Sequence, residues 1–164
     1  MPGKPVTVLV LADKPELALT LLESFRPTQG QISELTTIYG FLGRYYRVAG
    51  GELELVAAPS NSDLPSLFDL LAEGLAGYIV AVDCLDHNRF PSIRAGLDFW
   101  ELISAAPRIL ALTNYDEPNA VDRLTVRQLL RLSVDDQVVP LPEGQLRPAI
   151  ISLLKMILSR PREV

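Results

Sequence analysis

Five apolar runs along the chain read as buried strands. The first is Val6 to Leu11, and Glu52 to Ala57 follows, alternating Glu and Leu before Val56. Tyr78 to Val82 and Ile109 to Leu112 are continuously apolar, as expected for parallel strands covered on both faces. Gln137 to Leu141 is the last run. A sixth strand, about Arg44 to Val48, precedes Gly50-Gly51, a two-residue turn signal that joins it antiparallel to Glu52–Ala57. Helical periodicity falls between the runs. It covers Lys14 to Phe25, then Leu64, Leu67, Phe68, Leu71 and Leu75, then Ile93, Leu97, Trp100 and Ile103, then Val121 to Leu132 and Ala149 to Leu158. Pro148 is tolerable in the first turn of the last helix. Strands alternating with helices predict a three-layer α/β fold over residues 1–164, one domain in all. Its sheet has six strands, mostly parallel, with one antiparallel hairpin strand and helices on both faces.

Composition narrows the class without changing that outline. The 164 residues are 48% hydrophobic and 21% charged, ordinary for a globular domain with a full core. Net charge is −5 and no basic cluster occurs, which argues against nucleic acid as a partner. No apolar run reaches the roughly 18 residues that span a bilayer, and the N-terminus lacks the pattern of a signal peptide. The expected compartment is therefore the cytoplasm. A single Cys84 and a single His87 leave no disulfide and no multi-histidine metal site, so no metal is expected. Asp83, Cys84, Asp86 and His87 cluster after a strand, and the reading preferred for them is a structural loop.

Several segments carry a more specific resemblance. Thr36-Thr37, Gly43-Arg44-Tyr45, the Gly50-Gly51 turn and Leu53-Glu54-Leu55 resemble the switch threonine and hairpin of the bacterial Arf/Ras-like small GTPases. Val56-Ala57-Ala58-Pro59-Ser60-Asn61 sits where that family has Asp-Thr-Pro-Gly-Gln. Leu112-Thr113-Asn114-Tyr115-Asp116 lies where its guanine-reading Asn-Lys-x-Asp stands. The similarity spans nearly the whole chain and implies the small GTPase fold.

The same alignment implies a degenerate member, a pseudo-GTPase. A phosphate-binding loop needs glycines so that backbone amides wrap the phosphates, a lysine to neutralise them, and a hydroxyl for magnesium. Here the corresponding stretch is Ala12-Asp13-Lys14-Pro15-Glu16-Leu17-Ala18-Leu19. Leu17, Ala18 and Leu19 replace glycine, lysine and hydroxyl, while Pro15 removes an amide donor. Asp13 with Glu16 three residues on reads instead as a helix cap and capping box. Ala57 replaces the magnesium-linked aspartate and Asn61 the water-positioning glutamine. Only Asp116 keeps register in the base-reading motif. Losing the lysine, a magnesium ligand and two loop amides costs about 6 kcal/mol, about four orders of magnitude in affinity.

The resulting expectation is a vestigial nucleotide pocket of Asp13, Lys14, Thr36, Thr37, Asn61 and Asp116. No catalytic residue and no cofactor are expected, with weak GTP or GDP binding left open. Function would then rest on a protein partner. Tyr39, Phe41, Tyr45 and Tyr46, four of the ten Tyr and Phe residues, fall within eight positions of the segment where partners of Ras-like proteins dock. The resemblance suggests a roadblock/longin-type regulator or a GTPase paralogue, and a homodimer is also open. Two alternatives remain: a divergent GTPase that still switches on guanine nucleotide, and a receiver-like signalling domain. Against the second, Ala57-Ala58 carries no phosphoacceptor aspartate.

Overall fold

The computed structural model describes residues 6–26, 31–32, 34–38, 41–48, 51–59 and 75–159. One sheet organises them, in the order β2-β4-β5-β1-β6-β7-β8, with β3 also pairing to β4. Its strands are β1 (Val6–Ala12), β2 (Gln31–Ile32), β3 (Thr36–Ile38), β4 (Phe41–Val48), β5 (Gly51–Pro59), β6 (Leu75–Asp83), β7 (Arg108–Thr113) and β8 (Gln137–Pro140). All six predicted strands form. β1 runs parallel to β5 and β6, β6 to β7, and β7 to β8. β4 is the antiparallel hairpin partner of β5. Two short strands, β2 and β3, add to the outer edge of β4.

Two boundaries differ from the expected ones. Val48 pairs with Gly51, so Gly51 already belongs to β5 rather than to the turn. β6 begins at Leu75, which periodicity had placed at the end of a helix. The rest of that predicted helix, from Leu64, lies outside the described residues.

The helices among the described residues are α1 (Pro15–Ser24), α2 (Phe90–Ile103), α3 (Arg123–Leu129) and α4 (Arg147–Ser159). The two apolar faces of the sheet build two cores. Val8, Val10 and Ala12 point to α1 and α4, where Leu21, Leu22, Ile150 and Leu153 are buried. Leu9 and Leu11 point to the other face, covered by Ile93, Leu97 and Trp100 of α2 and Val126 of α3. Period-two alternation along β1 thus feeds both layers. At Gly77 a Cβ would come within 2.9 Å of Leu153 Cδ1 and 3.0 Å of the Pro107 carbonyl, so glycine lets α4 lie directly on β6. α3 starts later than its apolar pattern because Asp122 caps it, accepting from the Thr125 amide at 2.8 Å. Phe99 and Trp100 divide as adjacent helical positions must: Trp100 is fully buried and Phe99 is exposed.

Candidate functional site

In a sheet of this kind ligands bind beyond the C-terminal ends of the parallel strands. The first such end is that of β1, which stays in the sheet through Ala12, paired with Pro59 on β5 and Ala81 on β6. α1 opens at Pro15. Only Asp13 and Lys14 connect strand to helix. Lys14 is the N-cap residue and makes no side-chain cap bond, while Pro15 occupies the first turn, where its missing amide costs nothing.

The predicted Asp13 capping box does not form. The Asp13 carboxylate turns away from α1 and accepts from Ser92 Oγ at 3.1 Å, and Arg89 Nη1 lies 3.1 Å from its other oxygen. Lys14 Nζ lies 3.0 Å from Asp86 Oδ2, and Arg89 Nε is 3.7 Å from that same oxygen. Two acids and two bases therefore close the turn against the start of α2. The cap is lost because α1 opens one residue later than a capping Asp13 requires, with Lys14 in the N-cap position. The void bounded by Asp13, Lys14, Leu17, Ala81, Asp83, Asp86, Arg89 and Ile93 holds about 10 Å³, room for about one water.

The other expected pocket residues are dispersed. Thr36 and Thr37 lie in β3, paired with Gly43 and Leu42. β4 and β5 separate β3 from β1, a lateral distance of about 14 Å at the usual strand spacing. They are thus not gathered with Asp13, which corrects the expected grouping. Asn61 lies outside the described residues. Asp116 is exposed in the turn after β7. Its neighbour Asn114 has φ of 55° and donates through Nδ2 to Asp83 Oδ1 at 3.0 Å, an oxygen that also accepts the Leu85 amide. This Asp83–Asn114 bridge ties the ends of β6 and β7 together. Cys84 is buried beside it, and burial and the Asp83 charge push its thiol up to about 11, leaving it a poor nucleophile. Among the described residues no group of His, Cys, Asp and Glu is arranged to hold a metal.

The aromatic segment divides by strand parity. Tyr46 is fully buried, its ring edge-on to Phe25 at 5.0 Å and its hydroxyl donating to the Leu22 and Phe25 carbonyls at 3.4 and 3.5 Å. Desolvation raises its pKa. Tyr46 therefore leaves the candidate partner face and joins the core. Tyr45 points to the opposite face and is 41% exposed. Leu42 and Ile32 are also exposed, on the Tyr46 side of the sheet. Tyr39 and the side chain of Phe41 lie outside what the structure describes. The outer edge of β4 is not open, because β2 and β3 occupy it.

Sequence reasoning missed Asp86, Arg89 and Ser92 as partners of the β1–α1 turn. Asp86 and Arg89 at i, i+3 ahead of an apolar helix were a weak local signal, but nothing local tied them to Asp13.

No protein-family model matches the sequence, and no curated protein does. A solved structure does match over its whole length. It is that of the Arl6 (BBS3) small GTPase from Trypanosoma brucei with the nucleotide analogue GppNp bound. The TM-score is 0.70, covering 96% of this chain and 100% of that one at 13% identity. The chain has the small GTPase fold. Within that fold, the β1–α1 turn is the position of the phosphate-binding loop expected from the sequence, and here that connection is two residues long. No helix among the described residues is long and apolar enough to cross a membrane.

Proposed function

We propose that this protein is a non-catalytic member of the small GTPase architecture that acts by binding another protein. The observation that carries the reading is the Asp13-Lys14 connection. A phosphate cradle needs several consecutive backbone amides free to converge on one anion. Two residues between a strand end and a helix start, one bearing a carboxylate, provide no such arc. Asp13 would repel a phosphate, and Lys14 and Arg89, the cations that bound the turn among the described residues, are already held by Asp13 and Asp86. Without a clamped terminal phosphate and its magnesium, hydrolysis has no transition state to stabilise.

A protein-binding role draws support from exposed apolar side chains at the hairpin end of the sheet, Tyr45 on one face and Leu42 and Ile32 on the other. Aromatic side chains of this kind anchor interfaces. A regulator of the roadblock/longin type, a GTPase paralogue and a second copy of the chain are the partner classes to test first.

Calorimetry with GTP, GDP and ATP in excess magnesium tests the reading. The expected outcome is no binding tighter than about 10 μM. Tighter binding of a guanine nucleotide would favour the second reading, a divergent switch that holds its ligand mainly through the base side near Asp116.

A further inference from the structure

We propose that an open groove at the foot of the sheet, opposite the β1–α1 turn, docks an arginine side chain carried by a partner protein. The groove lies where β6 and β7 begin and where α2 and α4 end. Tyr78, Arg108, Glu101 and Met156 line it, together with Ser133, Asp135 and Asp136 of the loop after α3. Its volume is about 360 Å³, within the range of small ligand sites.

Charge selects the occupant. Arg108 is the one cation lining the groove among the described residues, and it is used up. Its Nε and Nη2 donate to the two oxygens of Asp136 at 2.9 and 3.1 Å. Glu101 and Asp135 also line the groove, and neither has an ion-pair partner among the described residues. Burial raises the Tyr78 pKa, Arg108 opposes this, and the Asp136 and Glu101 charges add to it. Two carboxylates with no ion-pair partner among the described residues, lining one hollow, are complementary to a guanidinium, which can bond more than one acceptor at once.

The groove wall is held in place before any ligand arrives. Arg127 donates to the Ser133 and Asp136 carbonyls at 3.3 and 2.8 Å, and the Ser133 amide donates to Asp136 Oδ2 at 3.0 Å. A site ordered in advance loses little entropy on binding. The flanks distinguish a protein segment from a free amine. Val134, Leu102 and Leu158 are 97%, 85% and 83% exposed, more than any other large apolar residue described. Each lies within two residues of a groove-lining position on its own segment. A cation-seeking hollow flanked by bare apolar side chains suits an arginine with hydrophobic neighbours.

The test is NMR titration of the ¹⁵N-labelled full chain with the peptide acetyl-Leu-Arg-Leu-Arg-Leu-amide. Saturable shifts are expected at the Glu101, Ser104, Ser133 and Asp135 amides. Affinity should drop about tenfold in the Glu101→Gln, Asp135→Asn double variant, the loss of two partly exposed charge pairs. Both substitutions are isosteric, on exposed side chains, and spare the Arg108–Asp136 pair, so an unchanged spectrum elsewhere reports an intact fold. Leu102→Ser with Val134→Ser should also weaken the peptide. The proposal is overturned by absence of saturable shifts, by equal response to the glutamine-substituted peptide, or by unchanged affinity in the double variant. It is also overturned if arginine amide alone binds as tightly as the peptide, which would make the groove a small-cation site. Each result is independent of whether a nucleotide binds at the other end of the sheet.

Discussion

Glu54 shows how far a residue's setting can depart from its pattern. Glu52 and Glu54 alternate with leucines, which reads as one polar and one apolar face. Glu52 does reach outward to Arg47, at 3.2 Å. Glu54 is 4% exposed, on the face shared with Val56 and Ala58, and its Oε1 has no hydrogen-bond partner. Desolvation raises its pKa. An acid with a raised folded pKa binds its proton more tightly when folded, so its ionisation costs stability as pH rises through and above the ordinary carboxylate range. Glu54→Gln should therefore raise the melting temperature at pH 7.5 and leave it nearly unchanged at pH 4; equal shifts at both pH values would count against this account. Parity is also why the aromatic cluster was only half legible. Its composition is plain in the sequence, but Tyr45 and Tyr46 must face opposite sides, and which one is buried depends on where α1 sits.

The β1–α1 junction is the element on which the proposed reading rests. Its boundaries were nearly readable: the apolar run ends at Ala12, and Pro15 favours the first helical turn. The cap was misassigned because a capping rule looks only three residues ahead, whereas Asp13 is bound to Arg89 and Ser92, more than seventy positions away. Writing the glycine, lysine and serine of a phosphate loop into α1 should consequently fail to create a nucleotide site. In the triple variant Leu17→Gly, Ala18→Lys, Leu19→Ser, the new lysine replaces a side chain that is 1% exposed and packed in the α1 core. Burying that charge and removing Leu17 should cost about 3 kcal/mol in urea unfolding. The connection stays two residues long, so calorimetry with GDP and magnesium should detect no binding. A micromolar affinity gained by these substitutions alone would show that loop length is not the barrier.

At the scale of the whole molecule, alternating strands and helices made the parallel sheet and its two covered faces legible, because short right-handed crossovers leave few other arrangements. β2 and β3 were not legible, since two or three residues carry no periodicity. The ion pairs and the foot groove were hidden for another reason: both assemble side chains from segments far apart in sequence. The burial gradient makes a prediction for the assembled sheet. β1, β6 and β7 are central and have buried cores on both faces, so their amides should exchange with solvent last, and those of β2 and β3 first. Hydrogen-exchange mass spectrometry reads this directly, and early opening of β7 relative to β4 would contradict it. The outermost edge has its own consequence. β2 stops at Ile32 and β3 starts at Thr36, so the rim offers backbone donors and acceptors only in fragments of two and three residues. A foreign strand laid along it would find no continuous ladder to extend among the described residues. On this rim, lengthening the sheet by edge pairing and stacking into fibres are thereby disfavoured.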